Sequence, residues 1–203
     1  MKYTTSIFIL SLTVLFYTSC AKEENKESSS SSSGSVTSSS GATASGSITV
    51  GSATASGTYS SVCVPFSGSG LSSDTQSVGN VFIITGNNSA QTETNYYTDS
   101  SCGSLGGYFI SHLDNITIGS ASGENYQVDY TLTKYSIKPK TEATKTYFES
   151  TYTTSTFSID SITEITYGFG MKNLIYVSGS TLKVGSGAFN SYPTAADSEY
   201  TKN

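Results

Sequence analysis

The sequence has no tryptophan, one histidine and only ten lysines and arginines, scattered singly. Each shortage removes a class of function. With His112 alone, no multi-histidine metal site can form. A Ser-His-acid triad would depend entirely on that position, in YFISHLDN, where a satisfied polar residue is the simpler expectation. No lysine or arginine stripe exists and the formal net charge is −5, so the chain does not suit nucleic acid. There is no Gly-x-Ser-x-Gly elbow. The glycine-rich patches lack the lysine and helix context of a phosphate loop. Carboxylates such as Asp99, Asp114, Glu124 and Asp129 occur, yet no spacing singles out a pair. The sequence therefore points to no catalytic residue, no metal and no cofactor. A run long enough to span a bilayer is missing too. The apolar stretch over residues 7–17 is about a dozen residues, where a membrane helix needs roughly 20.

What is there begins with that stretch. Lys2 precedes it, and its length suits the apolar core of a secretory signal peptide over residues 1–19. Thr18 and Ser19 are small, and Cys20 follows. The segment LFYTSC resembles a bacterial lipobox, although Tyr17 stands where an aliphatic residue is usual. The resemblance implies cleavage before Cys20 and acylation of its thiol. Two or three acyl chains hold a protein on a bilayer where one barely does, at about 0.8 kcal/mol per buried CH₂. The expected address is therefore the bacterial cell envelope. Ala21 is not acidic, which favours the outer membrane. The expected partner there is the lipid bilayer.

Residues 26–46, KESSSSSSGSVTSSSGATASG, hold almost nothing apolar and are expected to stay disordered. A Ser/Gly coil of that length has an end-to-end distance of about 25 Å. The expected organisation is a signal peptide at 1–19, a tether at 20–50 and a folded domain at 56–203.

The folded part reads as strands separated by turns. GTYSSVCVPF (57–66), the run at 79–84 and QTETNYYTD (91–99) come first. GYFISHLDNITIGS follows, as two short strands or one bent at Asp114-Asn115. NYQVDYTL places Tyr126, Val128, Tyr130 and Leu132 on one face. The parity then changes, which predicts a bulge near Thr133-Lys134. ATKTYFES suits a helical turn or a strand. Ile159, Ile162 and Ile165 recur at spacing three, which favours a short helix. Residues 174–184 read as a closing hairpin around Gly179-Ser180. The polar tail after it is expected to pack only through its tyrosines. Strands with one apolar face must close on themselves or meet a second sheet. The predicted fold is all-β: an antiparallel up-and-down barrel of about eight strands with one short helix, or else a β-sandwich.

Three cysteines are an odd number for an exported chain. In an oxidising compartment Cys63 and Cys102 are expected to pair, which leaves Cys20 for the lipid. Tyrosine is abundant, with 15 in the chain. Tyr96, Tyr97, Tyr108, Tyr126 and Tyr130, with Val128 and Leu132, are candidates to line a ligand cavity, unless they only fill the interior.

Gly57-Thr58-Tyr59 resembles the Gly-x-Trp that opens lipocalin-like barrels, with Tyr59 in place of the tryptophan. TNYYTDSSC (94–102) resembles a tyrosine-rich strand ending in Asp-x-x-Cys in a group of poorly characterised exported bacterial proteins. VSGSTLKVG and YPTAAD resemble that group's last strand and the piece after it. The resemblance implies a barrel closed at the Tyr59 end and open at the other, where true lipocalins hold a small apolar ligand. The expected function is a non-enzymatic binding module at the envelope, for a small apolar ligand or a protein partner. A structural or host-contact protein with a solid barrel is the alternative, and an enzyme comes last.

Overall fold

A computed structural model describes residues 36–203. The expected signal peptide, Cys20 and the stretch up to residue 35 lie outside the described residues. The chain runs β1 (Ile48–Val50), β2 (Ala53–Ala55), β3 (Thr58–Ser60), β4 (Val64–Pro65), β5 (Ser77–Ile84), β6 (Ala90–Tyr97), β7 (Leu105–Ser122) and β8 (Asn125–Pro139). Then follow α1 (Glu142–Thr151), β9 (Thr163–Ser178), β10 (Thr181–Val184) and β11 (Ser198–Lys202). From β5 to β11 each strand pairs antiparallel with the next. β11 returns to β3, and β3 pairs with β5. The circle closes with eight strands, as an up-and-down barrel rather than a sandwich. Closure removes the sheet edges that an open meander would expose.

Local sequence explains the shape of the long strands. β7 is one continuous strand bent at Asp114-Asn115, where the register shifts and Asn115 adopts φ 54°. Asparagine tolerates that left-handed geometry better than most residues. β8 carries the bulge expected near Thr133, with a register shift against β9 between Leu132 and Lys134. It keeps Val128 and Leu132 buried on one side and brings Tyr135 and Ile137 round to the same side. The expected strand over 57–66 is interrupted, because β3 and β4 pair separately with β5.

Three expectations are corrected. The spacing of Ile159, Ile162 and Ile165 does not mark a helix. Residues 163–178 form β9, and Ile159 and Ile162 are exposed before it. Pairing along β8 outweighs a three-residue coincidence. The tail packs through more than its tyrosines: β11 hydrogen-bonds to β10 and β3 and closes the barrel. The described part of the expected tether, residues 36–50, is folded, so the ordered unit does not begin at 56. Val36 is fully buried over Gly79, where an added Cβ would lie 2.3 Å from its methyl group. Ser38 Oγ donates to Glu93 Oε2 at 2.9 Å, and the Ser39 and Ser40 amides donate to Glu93 Oε1. A Ser/Gly segment thus gains order from a buried carboxylate that accepts its backbone donors.

Two apolar cores fill the two ends. At the Tyr59 end, the β1–β2 hairpin contributes Ile48, Val50 and Ala55 to a cluster with Tyr59, Phe82, Ile84, Val177, Leu182 and Tyr200. Gly51 makes the hairpin turn at φ 60°, where a Cβ would collide with the Tyr126 hydroxyl. At the other end α1 lies over the mouth. Thr141 caps it, accepting from the Thr144 amide at 3.1 Å. The Thr144 hydroxyl, fully buried, donates to Gly106 O on β7 at 2.6 Å. Phe148 is then driven into a second cluster with Tyr96, Ile137 and Phe157. The mouth expected to be open is covered by this helix.

Candidate binding site

Cross-strand register identifies the inner wall, since directly paired residues share a face. Phe82 pairs with Tyr59 and Thr92, and Thr92 with Ser111. Ser111 pairs with Tyr135, and Tyr135 with Ile165. Asn80, two residues from Phe82, pairs with Thr94, and Thr94 with Phe109. Asn80, Thr92, Thr94 and Ser111 therefore point inward, between the two apolar cores. All four are half-buried rather than buried. The Thr94 hydroxyl donates to Asn80 Oδ1 at 2.9 Å. From Phe109 on β7 across β8 and β9 the same belt turns aromatic. Phe109 lies 4.4 Å from Tyr135, Tyr135 lies 4.8 Å from Tyr167, and Tyr167 lies 5.4 Å from Phe169 (ring centroids).

The strand ladder around the belt is incomplete on one side. β9 has sixteen residues, but β10 has four and β11 five. β10 pairs with β9 only over residues 175–178, extended by a bridge between Lys172 and Ala188. Among the described residues, the 163–171 half of β9 pairs only with β8. The outer edge of β4 is unpaired in the same way. The strand ladder therefore has a window between β9 and β4 in its mouth half, and Ile165 on the β9 side packs in one cluster with Leu71, Tyr152, Phe157 and Phe148. Phe169 and Phe189, 5.4 Å apart and 45% and 49% exposed, stand on the β9 side. Val62 and Val64, also exposed, stand on the β4 side. A surface groove of about 320 Å³ adjoins Phe189, Met171 and Tyr130. A second groove, about 400 Å³, lies among Tyr176, Lys183 and Glu199; it is polar and remote from the inner wall.

The residues expected to line a cavity are divided. Tyr126, Val128, Tyr130 and Leu132 do share the inner face, but Val128 and Leu132 belong to the filled core at the Tyr59 end. Tyr96 faces inward under α1, in edge-on contact with Tyr147 and Phe148. Tyr108 lies on the outer face, paired with Asn95, and so does Tyr97. Neither lines the interior: despite the register shift between β6 and β7 at Tyr96-Tyr97, Tyr97 pairs with Ser77, on the face of β5 opposite Asn80 and Phe82. Tyr59 is fully buried at the closed end, with its hydroxyl accepting from the Ser56 amide at 3.3 Å. The residues missed were Asn80, Thr92, Thr94, Ser111, Tyr135 and Tyr167. Only their alternation signalled them, and Tyr135 falls beyond the β8 bulge, where the count restarts.

Among the described residues, the ion pairs of this half lie on the outer face. Lys134 and Glu164 pair at 2.6 Å, and Lys172 and Asp129 at 3.0 Å with Tyr192 donating to the same carboxylate. His112 belongs to the outer face as well. Its Nδ1 meets the Gln91 amide at 3.3 Å and its Nε2 meets Ser136 Oγ at 2.8 Å. With Gln91 donating, Nε2 carries the proton and donates to Ser136, so the imidazole does not act as a base toward that serine. Burial, and then Lys134, hold the His112 pKa below its ordinary value. The unfolded chain takes that proton first, so the contribution of His112 to stability is present at neutral pH. It falls as pH drops below about 6.5 and stops falling once the folded imidazole is also protonated. The urea midpoint should decline between neutral pH and pH 5 less steeply in His112→Gln than in the parent.

Asp99 explains the Asp-x-x-Cys motif. Its carboxylate accepts from the Ser101 amide at 2.8 Å, the Ser101 hydroxyl at 2.7 Å, the Gly103 amide at 3.0 Å and the Ser104 amide. These bonds hold its pKa far below the carboxylate range. They also hold Cys102 at φ 59°, with its Sγ bonded to Cys63 across a Cα–Cα distance of 5.9 Å. The expected disulfide is present. Among the described residues no three His, Cys, Asp or Glu side chains cluster as metal ligands, and no helix is long and apolar enough to cross a membrane. No protein-family model and no curated protein matches the chain.

Proposed function

We propose that the chain is an envelope lipoprotein, exported and acylated at Cys20, whose barrel is a non-enzymatic binding module. Its guest is a small uncharged molecule with an apolar face. The observation that supports this reading is the window: an uncharged belt of inner-wall side chains, half-buried between two packed cores and flanked by exposed Phe169 and Phe189. An eight-stranded barrel has room inside for packed side chains or one small ligand. The outer membrane is the proposed site of anchoring.

Two measurements test the reading. Expressed with its own leader, the protein should enter the detergent phase of a Triton X-114 separation, and Cys20→Ser should remain aqueous. A Cys20→Ser protein that still follows the detergent would overturn the anchor. N-phenyl-1-naphthylamine, a neutral apolar fluorophore, should bind the soluble domain with one-to-one stoichiometry. Ser111→Phe, which fills the belt from its middle, should abolish the signal while the circular dichroism spectrum stays that of a folded barrel. Equal binding by folded Ser111→Phe would place the fluorophore elsewhere and sink the binding reading.

A further inference from the structure

The outer face of β5 and β6 is covered by the chain itself, through residues 36–47. β5 is apolar on both faces. Phe82 and Ile84 belong to the inner core, while Val81 and Ile83 point outward and are fully buried. The covering segment lays Val36, Ala42 and Ala44 on that outer strip. It forms no strand and no helix. Among the described residues its backbone meets the barrel's backbone once, where the Ser45 amide donates to Ile84 O at 2.9 Å. The other bonds run through side chains. Glu93 accepts from Ser38, Ser39 and Ser40. Asn95 Nδ2 donates to Thr37 O at 3.3 Å, and the Ser47 amide donates to Asn87 Oδ1 at 3.2 Å.

Two groups beneath the segment are poorly suited to staying covered. Glu93 is buried and takes part in no ion pair among the described residues. A buried carboxylate without a cation depends on its donors, and here the segment supplies them. Asn95 is fully buried, and its Oδ1 has no donor among the described residues. Water would satisfy both groups once the segment lifts, which offsets part of the cost of uncovering Val81, Ile83 and Val36. Nothing in the barrel need break. β5 and β6 make their ladders with β3, β4, β7 and each other, none of them with the segment. Gly46, at φ 72°, stands where the segment joins β1, and the β1–β2 hairpin is held separately in the inner core. From this balance we infer that residues 36–47 are a releasable strap, held shut by Glu93, that opens without the barrel and lengthens the leash to the lipid. Opening moves the first fixed residue from Val36 to Ile48, which adds at most about 40 Å of extended chain. That lengthening rests on the anchoring reading above; the strap and its latch do not.

The test is amide hydrogen exchange of the Cys20→Ser chain, read residue by residue by NMR. The Ser39, Ser40 and Ser45 amides should exchange at least about a hundredfold faster than the paired amides of β6, as a unit that opens below the global free energy does. Glu93→Ala should erase the protection of Ser39 and Ser40 and leave the β6 ladder protected. Gly79→Ala places a Cβ 2.3 Å from a Val36 methyl and should speed the same strap amides about tenfold, the scale of an overpacked contact. On vesicles, proteinase K should cut the acylated Glu93→Ala protein within residues 37–47 at least about tenfold faster than the parent, because cleavage follows the open population. Strap and ladder amides that exchange at one rate would overturn the inference. So would a folded Glu93→Ala protein with Ser39 and Ser40 still protected, or a Glu93→Ala protein that does not fold, since strap and barrel would then be one unit. If Cys20→Ser still follows the detergent, the leash falls with the anchor, and the exchange pattern decides the strap alone.

Discussion

Removing the Cys63–Cys102 bridge should lower the stability of the barrel by about 4 kcal/mol, the chain-entropy value for a closed loop of about 40 residues. The bond spans 39 positions and ties the segment between β3 and β4 to the β6–β7 loop. For a domain of this size that corresponds to a fall in Tm of about 8–16 °C. Cys63→Ala, Cys102→Ala should show it in a thermal melt, and so should the parent protein in reductant. The Asp99 carboxylate makes the estimate sharper. Its bonds to Ser101, Gly103 and Ser104 hold the loop with or without the bridge, so the loss falls on the unfolded chain more than on native geometry. Asp99→Asn with the bridge intact should therefore cost far less than the cysteine pair. A cysteine-free variant that melts with the parent would show that the bond does not form in the protein as isolated.

The barrel was legible because alternation along the strands repeats often enough to demand closure. NYQVDYTL put Tyr126, Val128, Tyr130 and Leu132 on the inner face correctly, and the parity change after Leu132 did mark a bulge. What escaped was decided by partners distant in sequence. The segment 36–50 looks incapable of order until Glu93, some fifty residues later, offers buried acceptors to Ser38, Ser39 and Ser40. Ile159, Ile162 and Ile165 have a helical spacing locally, but the edge of β8 takes the chain from Thr163 onward as a strand. Tyr108 was grouped with Tyr96 by residue type, yet twelve positions apart on neighbouring strands they fall on opposite faces. The window was invisible because it is made by the shortness of β10 and β11. No residue in those strands signals that the wall beside them stops.

The same geometry explains why a protein with a covered mouth can still be a binding module. α1 joins β8 to β9, and its packing on Tyr96 and Ile137 closes the end of the barrel without adding a strand to the 163–171 edge of β9. Access and rigidity are then separate properties of separate elements. A guest entering beside Phe169 does not need the helix to move, and the helix can be packed as tightly as any core.

Phe148 tests that separation. Its side chain is fully buried, with ring centroids 5.8 Å from Tyr96, 5.4 Å from Tyr147 and 5.9 Å from Phe157. Phe148→Ala should lower stability by about 3–5 kcal/mol, the cost of a deleted core ring with its cavity. Urea unfolding followed by tyrosine emission measures it, since the chain has no tryptophan to mask that signal. Phe189→Ala, a truncation of a half-exposed ring at the window, should change stability by no more than about 0.5 kcal/mol. The two substitutions should exchange places in binding. Folded Phe148→Ala keeps the belt and should hold N-phenyl-1-naphthylamine with the parent's affinity, whereas Phe189→Ala should weaken it. Loss of fluorophore binding in Phe148→Ala below its unfolding range would mean that the helix and the window are one unit, and that the guest enters through the mouth.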